Sequence, residues 1–324
     1  MPVLRLIKRH WPSSQVYWWI DSRLAPLLDG DPDLTGIVRF ERNGWTQARR
    51  WLAMWHSIQW ARRESFDLVI DLQCLARSAI FGWLTNGKLT VGLDESREAA
   101  RAFYDLIVPR PSYYTHAVDW YLGVLPVIKV PLHWNFEWLP QRPDVAVRIL
   151  EKWPQIKDRQ WIIFQPGARW INKRWPIESF AELARKLTAQ YSELNFAILG
   201  GAEDQALGHA ISQTEPGPCL DLTGKLTLPE MVEWIRFSEL MVTNDTGPMH
   251  VAAALGKRVV ALFGPTEPAR TGPYRQSQHV LQLDLPCVPC MRSRCTYYKP
   301  FECLRALPTT PVLSAVRHGL LEIS

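Results

Sequence analysis

The stretch VTNDTGPMHVAAALG, residues 242–256, joins an apolar strand directly to a helix. The strand ends in Asn244 and Asp245, and Thr246 and Gly247 lead into the helix. At the carboxyl end of a parallel strand, backbone N–H groups and the positive end of the helix dipole point at the same spot, and a glycine lets a phosphate approach closely. The pattern therefore predicts an α/β domain with an anion site at one edge of its sheet.

Strand and helix signals alternate on both sides of this stretch. A helix is predicted to start at Pro176, and another is opened by the capping-box pair Thr227 and Glu230. Such alternation predicts a parallel sheet covered by helices on both faces. The strands predicted in this half are WIIF (161–164), NFAILGG (195–201), LMVTND (240–245) and RVVALFG (258–264), and the last helix is PVLSAVRHGLLEI (311–323).

The first half carries weaker signals of the same kind. VYWWI (16–20) and FDLVID (66–71) look like buried strands, and residues 45–63 between them have helical periodicity. One face of this helix carries Trp51, Leu52, Trp55 and Ile58, and arginines 49, 50, 62 and 63 lie elsewhere. We expect the tryptophans to pack in the core and the arginines to supply any contact with a membrane surface.

The length of 324 residues allows two domains, each with its own core. Strand signals lapse in the proline-containing stretch 140–154, which predicts the boundary there. We therefore expect an amino-terminal Rossmann-like domain (1–150), a carboxyl-terminal nucleotide-sugar domain (151–308) and a closing helix (309–324).

Composition narrows the class of protein. Lys and Arg number 37 against 32 Asp and Glu, and no concentrated basic stripe or aromatic-studded motif indicates nucleic-acid binding. No apolar run approaches the roughly 18 residues that span a bilayer, and charges follow the amino terminus too soon for a secretory signal. We expect a cytoplasmic protein, peripheral on the inner membrane if it contacts lipid.

Two further loops could serve the anion site. In FQPGARWINKRWP (164–176), Lys173 would neutralise a diphosphate, or Lys173 and Arg174 are solvated surface charges. In AILGGAEDQ (197–205), Glu203 would accept hydrogen bonds from a ribose or an adenine amino group, or Glu203 and Asp204 both only complement a helix dipole. For the stretch 242–256 itself, the alternative is that Asp245 only caps its helix and His250 packs in the core.

These three segments, in this order, resemble the donor half of glycosyltransferase family 9, the ADP-heptose:lipopolysaccharide heptosyltransferases. The family pattern is PGAxxxxKRWP, GGxED, DTGxxH and ALFGPT, found here at 166–176, 200–204, 245–250 and 261–266. DLVIDLQCLARSA (67–79) is similar to the family's DLVIDLQGLxKSA, with Cys74 where glycine is usual.

The resemblance implies two Rossmann-like domains facing across a cleft, the GT-B architecture, and a metal-independent, inverting transfer without cofactor. It implies that Lys173 and Asp245 serve catalysis. The implied donor-binding residues are Gly167, Lys173, Glu203, Asp245, Thr246, Gly247 and His250, and the acceptor side holds Gln73, Arg77 and Ser78. The implied partners are ADP-heptose or a similar nucleotide sugar and a lipid-linked core oligosaccharide.

One departure from the family pattern concerns the amino terminus. Family members begin with a strand and a loop reading roughly RLSxxGD, which holds the aspartate thought to act as general base. The present sequence starts inside the helix that follows, at Met1. We expect a first domain short of its first strand. The alternatives for function are a truncated or catalytically impaired nucleotide-sugar-binding remnant, or a transferase for a different nucleotide sugar.

Two other segments suggest metal chemistry. Cys287, Cys290, Cys295 and Cys303 have spacings at which thiolates can close a tetrahedral zinc or iron–sulfur site, although the resemblance implies a metal-independent enzyme. The acidic run DGDPD (29–33) resembles a metal-binding DxD, but we expect a polar turn.

Overall fold

The structure is a computed structural model that describes residues 1–41, 48–94, 97–135, 137–157, 159–214 and 219–321. Contacts divide the chain into two compact units, Met1–Pro140 (unit 1) and Gln141–Ser324 (unit 2).

Unit 2 contains one continuous sheet of parallel strands in the order β11-β10-β9-β6-β7-β8. Every strand but the short edge strands β8 and β11 is almost wholly buried, as parallel strands covered on both faces should be. The strands are β6 Gln160–Gln165, β7 Leu194–Ile198, β8 Cys219–Asp221, β9 Leu240–Asn244, β10 Arg258–Phe263 and β11 Val280–Gln282.

Two apolar clusters lie on opposite faces of this sheet. Side chains alternate along a strand, so Ile162 and Phe164 of β6 enter one cluster and Trp161 and Ile163 enter the other. The predicted doubly covered parallel sheet is confirmed. The α-helices of the unit are α6 Pro143–Lys152, α7 Ile177–Thr188, α8 Gln205–Thr214, α9 Leu228–Phe237, α10 Gly247–Ala254, α11 Pro268–Thr271, α12 Glu302–Arg305 and α13 Thr309–Leu321. Short 3-10 turns occur at Pro154–Ile156, Ile171–Lys173, Ala202–Asp204 and Ser277–His279.

In unit 1 the described strands form two separate parallel sheets, β1-β2 and β3-β4-β5. The strands are β1 Tyr17–Asp21, β2 Gly36–Phe40, β3 Val69–Asp71, β4 Thr90–Leu93 and β5 Leu106–Val108. The α-helices are α1 Pro2–His10, α2 Ala48–Glu64, α3 Ala76–Leu84, α4 Ala117–Leu122 and α5 Val124–Val127, with 3-10 turns at Ala25–Leu27 and Arg97–Phe103.

Helix α1 is fixed to unit 1 by an apolar face and one arginine. Leu6 and Ile7 belong to the same buried cluster as Val91 of β4. On the other side Arg5 donates to both carboxylate oxygens of Asp31, each at 2.6 Å, and its side chain is only 10% exposed. The DGDPD segment is thus a turn in which Asp31 and Asp33 pair with Arg5, while Asp29 pairs with Arg39.

Two local predictions need correction. Trp55 of α2 is 50% exposed and Leu52 is 59% exposed, so the expectation that this helix face is buried is wrong there, although Ile58 is buried. Pro176 is the N-cap of α7 and not its first helical residue. The stretch 140–154, predicted to hold the interdomain boundary, begins where unit 1 ends and contains helix α6, whose Ile149 packs in unit 2.

Some of these predictions fall outside the described residues, namely the helix start at 45–47, the side chains of Arg49, Arg50 and Trp51, and the chain end at 322–324. Across the ranges that the structure describes, no helix is both long and apolar enough to cross a membrane.

Candidate functional site

The carboxyl edge of the unit 2 sheet brings three predicted motifs together. Asp245 follows β9 directly and is 8% exposed. Its Oδ2 accepts from the Lys173 ammonium at 2.5 Å and from the Thr266 hydroxyl at 2.6 Å. Because both donors converge on Oδ2, the other carboxylate oxygen, Oδ1, receives neither of them. The acid is therefore held by two neighbouring loops while one oxygen remains for a further donor.

Lys173 reaches this position from the loop after β6. The loop tightens into the 3-10 turn Ile171–Lys173, and the ammonium also lies 4.5 Å from the centre of the Trp170 ring, at cation–π distance. Its side chain is 16% exposed. The alternative that this lysine is a solvated surface charge is therefore wrong.

Helix α10 starts next to the Lys173–Asp245 pair. Thr246 is its N-cap residue and makes no side-chain capping hydrogen bond, and the predicted alternative of capping by Asp245 does not hold because that carboxylate binds Lys173 and Thr266. A Cβ built on Gly247 would meet no atom within 4 Å, so the space in front of this helix end is open. His250 is exposed, which contradicts its alternative role in the core.

The loop after β7, which contains Gly200 and Gly201, reaches the same edge of the sheet through Asp204. This aspartate is 6% exposed, its Oδ2 accepts from the Gly201 N–H at 3.2 Å, and the Arg174 guanidinium lies 3.7 Å from Oδ1. Burial raises the pKa of the Asp204 carboxyl above its ordinary value. A Cβ on Gly167 would lie 2.2 Å from Oδ2, so the glycine makes room for this acid. Glu203, by contrast, is exposed in the turn.

The predicted acceptor-side residues lie in unit 1, with Gln73 on the loop after β3 and Arg77 and Ser78 in the first turn of α3. Gln73 is exposed, and Arg77 is half-buried in the first turn of α3. The Ser78 hydroxyl accepts from the Leu75 N–H at 3.1 Å and donates to the Leu75 carbonyl at 3.0 Å, so it caps the helix. Cys74 has φ +57°, a left-handed conformation that glycine adopts without strain.

The four clustered cysteines are free thiols. Within the described part of the chain, no group of three or more His, Cys, Asp or Glu side chains is placed to hold a metal ion. The thiols do influence one another: burial, together with the neighbouring thiols, raises the pKa of Cys303 to about 11. The segment touches the site loop through its backbone, because the Asn172 amide donates to the Arg292 carbonyl at 2.8 Å.

Two residues of the site, Asn244 and Thr266, were not assigned a role from the sequence, and Asp204 was expected at most to complement a helix dipole. Thr266 follows β10, which neighbours β9 in the sheet, so its contact with Asp245 depends on the strand order. The ALFGPT motif that contains it was the available signal.

A parallel sheet whose strand ends gather a lysine, a carboxylate and an open helix start defines an α/β protein of the nucleotide-binding, Rossmann-like class. The profile of glycosyltransferase family 9 (heptosyltransferase) matches residues 51–300. Lipopolysaccharide heptosyltransferase 1 of Pseudomonas aeruginosa is 30% identical over 315 residues, which cover 92% of this chain and 83% of that protein. The chain belongs to glycosyltransferase family 9.

Solved structures agree on the fold. E. coli ADP-heptose lps heptosyltransferase II superimposes with a TM-score of 0.75 and 22% identity, covering 99% of this chain and 94% of that chain. E. coli heptosyltransferase WaaC with ADP-2-deoxy-2-fluoro heptose gives a TM-score of 0.70 and 19% identity, covering 100% and 94%. The predicted class is confirmed: the protein is an α/β glycosyltransferase of GT-B type.

Proposed function

We propose that this glycosyltransferase moves heptose from ADP-heptose to the inner core of lipopolysaccharide, with the donor bound in unit 2. The relative from Pseudomonas is named for heptosyl transfer in lipopolysaccharide, and two E. coli structures are named for ADP-heptose or an analogue. The observation that carries the proposal is the Lys173 ammonium held on Asp245 beside the start of helix α10.

The electrostatics of this edge suit a diphosphate. A nearly buried ammonium and the amino end of a helix both favour negative charge, and their interactions strengthen where water is excluded. Lys173 reaches Asp245 on a flexible stem, so it can share its protons between that carboxylate and a phosphate oxygen. Gly247 leaves room for the phosphate to approach the helix backbone.

The same edge offers groups for the rest of the donor. Asp245 Oδ1 is placed to accept hydrogen bonds from sugar hydroxyls, because Lys173 and Thr266 both occupy Oδ2. Glu203 is exposed after β7, the strand beyond β6 in the sheet, where it would accept from the nucleoside. Thr246 is the N-cap residue of α10 and His250 lies in its first turn, so both would lie beside the diphosphate.

The chemistry is a substitution at the anomeric carbon. An acceptor hydroxyl forms the new C–O bond from the face opposite the diphosphate and releases its proton to solvent water, while the bond to the β-phosphate oxygen breaks and ADP leaves. Negative charge grows on that oxygen in the transition state. Lys173 and the backbone N–H groups at the α10 start stabilise this charge, as fixed donors do in oxyanion holes.

A donor-binding experiment tests the proposal directly. Calorimetry should show that ADP and ADP-heptose bind the wild-type protein and that Lys173→Ala or Asp245→Ala weakens both strongly. Lys186→Ala is the matched control, because Lys186 pairs with Glu182 on helix α7 and contacts no strand end of the site. Unchanged affinity in both site variants would remove the assignment.

We further propose that unit 1 receives a lipid-linked core oligosaccharide, with Gln73 and Arg77 on the acceptor side. Arg77 can pair with acceptor phosphate or carboxylate groups. In a transfer assay, Arg77→Ala should raise the KM for the acceptor and leave the Kd for ADP unchanged. A rise in the ADP Kd instead would place this arginine with the donor.

Peripheral contact with a lipid surface completes the proposal. Leu52 and Trp55 are exposed on α2, and Arg62 and Arg63 are exposed near its end, a combination that suits an anionic bilayer surface. Co-sedimentation with anionic vesicles should fall in Trp55→Ser. Tyr298→Ser, which removes an exposed aromatic ring of unit 2, is the control and should bind vesicles like the wild type. Equal binding by both variants would contradict the contact.

A further inference from the structure

The lysine-bearing loop of unit 2, residues 166–175, is held at both ends by one side chain. Asn244, the last residue of β9, is completely buried. Its Nδ2 donates to the Pro166 carbonyl at 2.7 Å, and its Oδ1 accepts from the Trp175 N–H at 3.1 Å. The first of these bonds fixes the start of the loop and the second fixes its end.

Among side chains of this length, only an uncharged one that carries both a donor and an acceptor can make both bonds at once, and at neutral pH that is the amide. A buried carbonyl needs a donor and a buried N–H needs an acceptor, and leaving either unpaired is costly. An ionised aspartate could still accept from Trp175, but it would present a negative oxygen to the Pro166 carbonyl. The structure thus uses Asn244 for a task that its isosteric acid cannot perform at neutral pH.

The two Asn244 hydrogen bonds affect the position of Lys173 because the loop is short and because its end, Trp175, is also anchored by a second contact. Trp175 is buried, and its Nε1 donates to the Leu307 carbonyl at 2.9 Å, so the end of the loop is anchored in the core. Lys173 lies two residues before Trp175 and donates to Asp245, the residue that directly follows Asn244. Neighbouring residues on one strand end therefore set both the backbone of the loop and the position of its ammonium.

We propose that Asn244 is a positioning residue for the transfer reaction, which holds the loop so that the Lys173 ammonium faces the donor diphosphate beside helix α10. This inference rests on the proposed function, since it assumes that a nucleoside diphosphate binds in unit 2. Asn244 acts through the loop and need not touch the substrate.

Asn244→Asp gives a test with a signature that loss of fold stability would not produce. At pH 7.5 this variant should bind ADP at least about tenfold more weakly than the wild type, the factor that one lost buried hydrogen bond commonly costs. As the pH falls toward 5.5, a protonated carboxyl regains the missing donor, so the ratio of variant to wild-type Kd should shrink. Taking this ratio at each pH removes the ionisation of ADP itself.

Two other variants complete the experiment. Asn244→Ser cannot span both loop ends, and its loss of affinity should stay constant with pH. Asn195→Asp is the matched control: Asn195 is also buried, accepts from Arg159 and donates to the Glu193 carbonyl, but it lies near the start of β7, at the opposite end of the sheet. It should leave the Kd for ADP unchanged, whatever it does to the unfolding temperature.

The outcomes separate the two proposals. If the wild type binds ADP and Lys173→Ala does not, but Asn244→Asp stays within twofold of the wild type at every pH, the positioning role is wrong. If Asn244→Asp does not fold, wild-type affinity in Asn244→Ser overturns the role equally. If the wild type itself fails to bind ADP, the proposed function falls first and this inference falls with it.

Discussion

Two aspartates at the ends of parallel strands show how differently the two units use the same position. Asp71 ends β3 in unit 1, and its Oδ1 accepts from the N–H groups of Gln73 and Cys74 while its Oδ2 accepts from the Tyr104 hydroxyl at 2.7 Å. Asp245 follows β9 in unit 2 and binds Lys173 and Thr266 through Oδ2 alone. The first carboxylate stabilises its own loop, whereas the second holds the Lys173 ammonium, which the proposed function assigns to the donor diphosphate.

The loops that follow explain the difference. After Asp71 the chain folds back through left-handed Cys74, which brings two backbone N–H groups onto the carboxylate. After Asp245 the chain enters α10 almost at once, so the carboxylate takes its donors from neighbouring loops. The two aspartates therefore differ in their donors: Asp71 takes two from the backbone of its own loop besides the Tyr104 hydroxyl, whereas Asp245 takes side-chain donors from two neighbouring loops.

The largest effect should come from Asp245→Asn. Asparagine keeps the shape but removes the negative charge that holds Lys173, so the ammonium loses its fixed position in the transition state. We expect kcat/KM for heptosyl transfer to fall by about 10³-fold, or about 4 kcal/mol of transition-state free energy. Steady-state kinetics with ADP-heptose would measure this. A fall of less than tenfold would mean that Asp245 is as structural as Asp71.

Asp71→Ala should affect stability rather than donor binding. The change leaves two backbone N–H groups and the Tyr104 hydroxyl without an acceptor, so the free energy of unfolding of unit 1 should fall by about 3 kcal/mol. Urea unfolding followed by hydrogen exchange would localise the loss. The Kd for ADP at low temperature should match the wild type, and a weakened Kd would show that the Asp71 loop contributes to the donor site.

The carboxyl edge of the unit 2 sheet was largely predictable because its sequence signals are local. The apolar run, the strand-end acid and the helix start around Asp245 follow one another in the sequence, and so do the loop and lysine at Lys173. Their meeting follows from the rule that parallel strands end at one edge of a sheet. What this rule does not give is which loops are neighbours, and so the role of Thr266 needed the strand order.

The sheets of unit 1 were less predictable for a different reason. The strands Thr90–Leu93 and Leu106–Val108 are too short for a period-two pattern to show, and neither was predicted. The exposure of Trp55 was missed because helical periodicity identifies an apolar face without showing what covers it. The separation of β1-β2 from β3-β4-β5 also contrasts with the continuous sheet of unit 2.

Tyr104→Phe removes one of the three donors that bind Asp71 and leaves the two backbone donors in place. Burial, followed by the hydrogen bond to Asp71, raises the pKa of Tyr104 above its ordinary value, so the hydroxyl stays protonated as a donor. Its removal should cost about 1.5 kcal/mol of unfolding free energy, about half the effect of Asp71→Ala, because both backbone N–H groups keep their acceptor. Denaturant unfolding measures it. A loss equal to that of Asp71→Ala would mean that the backbone bonds contribute nothing.

The smallest effect should appear in the pH dependence of unit 2. Burial raises the pKa of Asp204 in the folded state, so between its ordinary value of 3.8 and that higher pKa the folded protein binds more protons than the unfolded chain. Stability contributed by this group therefore declines as the pH rises through that window. Asp204→Asn removes the titration, so unfolding temperatures measured from pH 4 to pH 7 should decline less steeply than in the wild type. If the two unfolding-temperature curves run parallel, the Arg174 guanidinium, 3.7 Å away, fully offsets the effect of burial on the Asp204 carboxyl. Asp204 would then resemble Asp245, whose negative charge is paired with the Lys173 ammonium.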